Sequence, residues 1–235
     1  MKLLFRSLLL CFFISASSII YCAEIKYSFK PGITYTYKYT FESSSSVTSL
    51  GNVKTNVQKP VYNTFTIKTI AFQDNAFVLD IEHNKLTYRR YIKPNGEIKG
   101  AVSETGTELP VFLSFPDTDW KIGESHQITK SVKIKNTDFT TVWNILLRSV
   151  NNDTGLAEIA FTATLPLPQD QLRRKTFSLN GTVIFNVFEG VVYRADWVSK
   201  YSLDFYNKEI AVIRNMWKFE NELRHSLIME NLEEY

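Results

Sequence analysis

Cysteine is almost absent from this chain: two in 235 residues, Cys11 and Cys22, both within the first 23. From Glu24 onward there is no thiol, which excludes a disulfide scaffold and cysteine-based catalysis in that part. Histidine is as scarce. His83, His126 and His225 stand far apart, with no two at metal-ligand spacing, and each reads as a surface or strand-pairing histidine. The sequence has no Gly-x-Ser-x-Gly elbow, no glycine loop to cradle phosphate and no His-Glu-x-x-His. No catalytic residue, metal or cofactor is therefore expected, and the chain is read as a non-enzyme. It also lacks any uncharged apolar run of the roughly 20 residues that a helical membrane span needs.

Positive charge is mostly balanced. The chain has 27 Lys and Arg against 24 Asp and Glu, and Lys2 and Arg6 lie in the first 23 residues, which carry no acid. That leaves 25 basic and 24 acidic residues from Glu24 on, so no nucleic-acid partner is expected. The first residues have the layout of a secretory leader: a basic start (Met1 to Arg6), an apolar run (Ser7 to Ile14), then small residues. Residues 1–23 are read as a signal peptide and 24–235 as a single all-β domain, exported to the periplasm, outer membrane or cell surface. Cleavage after Ser18 is an alternative, and Cys22 is a candidate lipidation site, with Tyr21 a departure from the small residue such sites favour.

What the chain has in quantity is aromatic residues in alternation, with 12 Tyr and 17 Phe. In Ile33-Thr-Tyr-Thr-Tyr-Lys-Tyr-Thr-Phe41, the residues Ile33, Tyr35, Tyr37, Tyr39 and Phe41 share one parity and polar residues take the other. Side chains of a strand alternate between faces, so this is an aromatic face backed by a polar one. The pattern recurs at Val61–Phe72, Ala76–Glu82, Leu86–Ile92, His126–Ile134, Phe139–Leu147, Leu156–Leu165, Thr176–Phe188 and Val191–Phe205. Asn95-Gly96 predicts a type I′ hairpin turn. Glu42 to Lys59 reads as a solvated connection or frayed hairpin tip. Leu109–Pro116 reads as a short buried strand or a loop across the sheet, Pro166–Lys175 as an interruption, and Asn221–Tyr235 as a helix or fraying strand. The whole predicts an all-β fold, a long antiparallel meander forming a strongly curved sheet, half-barrel or barrel.

Charged clusters carry little chemistry. Asp117 and Asp119 read as a turn pair without the further oxygens of a calcium loop. Arg89-Arg90 falls in a strand, where its side chains point to opposite faces; Arg173-Arg174-Lys175 is a basic loop able to meet lipid headgroups or a partner. Asn152 and Asn180 begin glycan-acceptor tripeptides. The aromatic faces are the feature with binding potential. Tyr35, Tyr37, Tyr39 and Phe41, with Trp143, Trp197, Tyr201 and Trp217, line either a cavity for an acyl chain or a core that they themselves fill.

Pro31, Gly32, Tyr35 and Tyr37, and the later element Pro116, Trp120, Lys121, Gly123, Glu124 and Ser125, resemble those of uncharacterised bacterial envelope proteins. The long meander is similar to the half-barrel of the lipoprotein-carrier (LolA/LolB-like) class. That resemblance implies lipid or lipoprotein handling, and fold does not fix function. The expected function is binding of a hydrophobic ligand (a lipid or acyl chain) or of an envelope protein partner, with peripheral membrane association. The alternatives are a structural or adhesive surface protein with a filled core, and an outer-membrane barrel ending at Tyr235.

Overall fold

A computed structural model describes residues 22–49, 51–83, 85–99, 112–134, 137–165, 173–205 and 217–234. The expected leader, most of the interruption after Leu165 and the terminal Tyr235 lie outside the described residues, as do the side chains of Cys22, Arg173, Arg174 and Trp217. The chain begins in a two-residue strand, β1 (Cys22–Ala23), and then enters the long β2 (Ile33–Ser49). Next come β3 (Asn52–Val57), β4 (Val61–Gln73), β5 (Ala76–His83), β6 (Leu86–Ile92) and β7 (Ile98–Lys99). After β8 (Trp120–Lys121) follow β9 (Ser125–Ile134), β10 (Thr137–Asn151), β11 (Leu156–Leu165), β12 (Arg173–Asn186), β13 (Val191–Phe205) and β14 (Trp217–Glu234).

β2 sits inside the sheet rather than at its edge. The order is β7-β6-β5-β4-β2-β14-β13-β12-β11-β10-β9, with β3 added to β2, and every pairing is antiparallel. The first half of the chain thus meanders out to one edge, and the second starts at the other edge and meanders back until β14 zips along all of β2. The result is an open, curved antiparallel sheet. Its register puts like with like: Tyr37 faces Phe65 and Met229, and Phe41 faces Val61 and His225. The aromatic parity lies on the concave side, where Tyr35, Tyr37, Ile67, Leu79, Ile145, Ile159, Val183 and Ala195 are buried, while Lys38, Lys68, Arg148 and Lys200 point outward.

The rim at which β2 begins and β14 ends, the lower rim, is closed by two straps. In the first, Ile25, Tyr27 and Phe29 point inward and are buried, and Glu24, Lys26, Ser28 and Lys30 point out. Its backbone is pinned at both sides. The Tyr27 N–H donates to the Pro94 carbonyl (2.7 Å) and the Ser28 N–H to the Gly190 carbonyl (2.9 Å), so it spans from the β6–β7 turn to the β12–β13 turn. The second strap, Phe112–Pro116, is the expected apolar stretch between prolines; it is a buried loop, with the Phe115 N–H donating to the Asn95 carbonyl (2.7 Å). Tyr27 stacks on Phe29 (5.4 Å) and Phe115 (5.2 Å) and meets Phe185 edge-on (5.3 Å). Each such ring taken from water stabilises the fold by about 2 kcal/mol.

Local departures from the sequence expectations have physical causes. Asn95-Gly96 does not form a type I′ turn. Only Gly96 has positive φ (83°), its N–H donates to the Lys93 carbonyl, and Pro94 fixes the preceding φ negative, giving a type I turn followed by a left-handed glycine. The two consecutive positive φ angles fall instead at Asp74 (52°) and Asn75 (57°), between β4 and β5. The serine run is strand, because β14 and β3 pair both edges of β2 there. Asn221–Glu234 is strand for a similar reason: β2 pairs it to its end and β13 as far as Ile228. Trp120, expected in a turn, pairs with Ala23. Tyr193 does not share the interior with Val191 and Ala195, since it is the extra residue of a bulge opposite Ile184 and Phe185, and it is exposed.

The strap crossing leaves no room for a side chain at Gly190. Its φ is 68°, and a Cβ there would lie 2.4 Å from the Ser28 backbone nitrogen. Gly190→Ala combines a left-handed penalty with a backbone clash, and is expected to cost roughly 2–4 kcal/mol, read as a lower urea midpoint. Gly51→Ala has the same φ class and open space, and is expected to lose only about 1 kcal/mol.

Candidate functional site

Above the strapped floor, the concave face carries a layer of rings around one imidazole. Antiparallel register brings Phe41 of β2, His225 of β14, Trp197 of β13 and Gly181 of β12 into one row across the sheet. His225 lies flat against Trp197 (ring centroids 4.7 Å, interplanar angle 6°) and stacks with Tyr39 at 6.0 Å. Gly181 makes this possible: a Cβ there would lie 2.6 Å from the Trp197 Cβ and 2.8 Å from the Phe161 ring. Both imidazole nitrogens are engaged, Nδ1 with the Tyr39 hydroxyl (2.7 Å) and Nε2 with Ser199 Oγ (3.3 Å). His83 meets Tyr39 (5.5 Å) and Phe65 (5.9 Å) edge-on, and its Nε2 is buried without a hydrogen-bond partner.

Burial decides the charge state of this layer. It pulls His225 down to about 4, lowers His83 and raises Tyr39 to about 12. At neutral pH both rings and the phenol are uncharged, and the layer is an apolar surface with embedded hydrogen-bonding groups. A neutral imidazole donates through one nitrogen and accepts through the other, so of Tyr39 and Ser199 one donates and one accepts. The string Tyr39–His225–Ser199 is not by itself a nucleophilic site. Ser199 lies mid-strand between Leu179 and Leu223, its backbone engaged in the ladder, whereas acyl transfer needs donors aimed at an oxyanion. Among the described residues no group of three or more His, Cys, Asp or Glu is placed to hold a metal ion.

Of the eight aromatic residues singled out from the sequence, the side chain of Trp217 lies outside the described residues and the other seven fall into different settings. Tyr35 and Tyr37 belong to the floor: Phe29 lies edge-on to Tyr35 (5.5 Å), Phe65 packs against Tyr37 (6.1 Å), and both tyrosines are buried. Tyr39, Phe41 and Trp197 form the imidazole layer. Trp143 stands further round the same face, against Phe161 (5.9 Å) and under the Lys130 ammonium (5.2 Å), and its Nε1 donates to Thr141. Tyr201 lies higher, half-buried beside Phe219 (6.3 Å). It also borders a cleft of about 770 Å³ on the opposite, polar face, among Glu42, Ser44, Lys200, Glu222 and Arg224. Cys22 is placed by its backbone pairing with Lys121 at the lower rim.

Sequence reasoning missed His83, His225 and Ser199. The signal was present as parity: His83 shares a face with Leu79 and Ile81, His225 with Leu223 and Leu227, and Ser199 is the polar member of the Ala195–Phe205 series. A polar residue on an apolar parity marks an interior site, but its partner strand is needed to say what it meets.

No protein-family model matches the chain, and no curated protein matches it. Among solved structures the fold is similar to that of lipovitellin, in a structure concerned with its lipid–protein interactions. The TM-score is 0.51 with 13% identity, over 88% of this chain and 26% of that one. This chain therefore spans about a quarter of lipovitellin's length, and the likeness is one of fold. The outer membrane protein OprG from Pseudomonas aeruginosa aligns over 85% of this chain and 94% of its own, at 12% identity and a TM-score of 0.19, too low to carry an argument.

Two outcomes follow from the buried polar groups. The unfolded chain takes up a proton at His225 near pH 6.5, but the folded one only near pH 4, so stability is lost as pH falls through that window. The loss, discounted for partial exposure, is on the order of 2 kcal/mol. Urea midpoints followed by tryptophan fluorescence should show it, and His225→Phe should flatten the slope. Tyr37 is buried and its hydroxyl has no partner. Tyr37→Phe is therefore expected to leave stability unchanged or raise it by about 1 kcal/mol, and a loss in the same assay would mean that the hydroxyl is used.

Proposed function

We propose that this is an exported, non-catalytic protein that binds a hydrophobic ligand, a lipid or acyl chain, on the upper concave face. One observation carries the proposal. Above the imidazole layer the same parity runs through Phe177, Tyr201, Leu203, Phe219 and Leu223, with Ser43, Ser45 and Asn221 among them, and these side chains are only half-buried, whereas those of the floor are closed over. A sheet that needed this face only for its own core would seal it as it seals the floor. The layer beneath offers what such a ligand needs at one end: ring faces for a chain, with the Ser199 hydroxyl and the unpartnered His83 Nε2 for a polar group. Lipovitellin, whose structure concerns lipid–protein interactions, shares this fold, and that likeness adds fold-level support.

A second function has an observation in its favour: the floor behind Tyr35 and Tyr37 is packed solid, as in a structural or adhesive protein. A bilayer-spanning barrel fits less well. Its lipid-facing side must be apolar, whereas the convex side here carries Lys38, Lys68, Arg148, Lys200 and Arg224.

Native mass spectrometry of the protein from its own host, followed by lipid extraction, is expected to show a bound lipid. The fluorescent fatty acid cis-parinaric acid should then bind in competition with it. Tyr201→Ala, at a half-buried position, is expected to weaken that binding about tenfold, or 1.4 kcal/mol, without moving the urea midpoint appreciably. An empty protein that ignores the probe would leave the structural role standing instead.

A further inference from the structure

We infer that the lower rim is a docking surface for a lipid bilayer. Six large apolar side chains stand exposed there, each from a different place in the sequence. They are Phe72 at the end of β4 (49% exposed), Tyr91 near the end of β6, Ile122 in the turn before β9, Phe188 in the β12–β13 turn (68%), Tyr193 in the β13 bulge and Leu232 near the end of β14. In a soluble rim these turn and strand-end positions are usually polar, since isolated apolar residues on a surface are tolerated but a ring of them is not.

Two of the six are held outward by local structure. The Asn186 side-chain oxygen accepts the N–H groups of Phe188 (3.0 Å) and Glu189 (3.1 Å), and the Val187 N–H donates to the Gly155 carbonyl (2.8 Å), so the turn is rigid. The Phe188 ring lies over Gly155, where a Cβ would be 2.4 Å from its Cδ2, and yet it is the most exposed ring at this rim. Tyr193 has the parity of the interior and is turned out only because the bulge adds a residue opposite Phe185. A chain that needed merely to connect strands has no use for either arrangement. Aromatic side chains at the boundary of an apolar and a wet phase are favoured because the ring is buried while its edge or hydroxyl stays hydrated.

The occupant follows from where the chain enters. β1 pairs Cys22 with Lys121, the residue before Ile122, so the sequence preceding Cys22 joins the protein at this rim. That sequence holds the apolar run Ser7–Ile14 behind Lys2 and Arg6, the expected leader, so this rim is the part of the chain held next to the membrane until the leader is removed. The polar face of the first strap, which lies within the ring, carries both signs in Glu24, Lys26 and Lys30. Attraction to anionic lipid is therefore not required, and the surface suits zwitterionic headgroups with weak salt dependence. This inference is independent of any ligand on the concave face.

Flotation of the full chain with phosphatidylcholine vesicles is expected to carry the protein to the lipid fraction, at 50 mM and 500 mM salt alike. The triple variant Phe72→Ser, Phe188→Ser, Tyr193→Ser alters exposed positions only, and its fold is checked by circular dichroism. It is expected to cut the floated fraction about tenfold or more. The matched control Val53→Ser, Val57→Ser, Tyr62→Ser, at exposed positions on β3 and β4, should float as the parent does. Equal flotation of parent and rim variant would assign binding to the N-terminal segment and overturn the inference, as would equal loss in the control. A lipid-free dimer that the rim variant abolishes would overturn it in favour of a second copy of the chain.

Discussion

An eleven-strand ribbon with a continuous aromatic face has to dispose of that face, and this one does so by curling around it and drawing a strap across the open end. The strap is what makes the curl stable. Without Ile25, Tyr27 and Phe29 the rings of Tyr35, Phe77 and Phe185 would face water across the lower rim. The crossing works only because two turn glycines give way: Gly190 to the backbone of Ser28, and Gly96 to the Leu113 carbonyl, where a Cβ would lie only 2.0 Å away. Sheet, straps and turns are therefore one mechanical unit, in which a single added methyl in a turn is felt in the core.

That closure divides the concave side into two layers with different chemistry. Below, rings meet rings and burial is complete. Above, the same parity passes through His225 and Ser199 and then into half-buried residues. The imidazole is compatible with this place because it stays neutral, and it stays neutral because Trp197, Tyr39 and Phe41 exclude the water a cation needs. The two rims differ as well: exposed rings and the incoming chain at one, serine-lined strand ends with the exposed valines of β3 at the other.

How much of this the sequence holds depends on the range of the interaction. Alternation is local, so the strands of Ile33–Phe41 and Val191–Phe205, the all-β class and the antiparallel meander are legible from single stretches. What two local patterns do to each other is not. The serine run at Ser43–Ser49 carries no strand signal of its own and is held extended by β14 and β3. Tyr193 keeps perfect alternation with Val191 and Ala195, yet a bulge set by the partner strand turns it out. His225 reads as an ordinary strand histidine until the register sets Trp197 against it. That β14 returns to β2, across most of the chain's length, is invisible to any local pattern.

The wealth of tyrosine on the concave side has its own explanation. If rings alone were needed, phenylalanine would serve, with no hydroxyl to satisfy in a dry interior. Among the described residues four tyrosines are buried, Tyr27, Tyr35, Tyr37 and Tyr39, and three of their hydroxyls tie separate segments together. Tyr35 accepts the Lys30 N–H (3.1 Å) and so fastens the sheet to the strap; Tyr27 is hydrogen-bonded to the Leu113 backbone and joins the two straps; Tyr39 holds the imidazole of β14. Each bond contributes only about 1 kcal/mol net, but a mispaired strand would bury the same hydroxyl with no partner and lose more than that. The tyrosines thus specify register as well as filling space. Tyr37 is the exception, its hydroxyl unpaired in the floor, and by the same reasoning it is the one tyrosine of the four whose ring is the whole of its contribution.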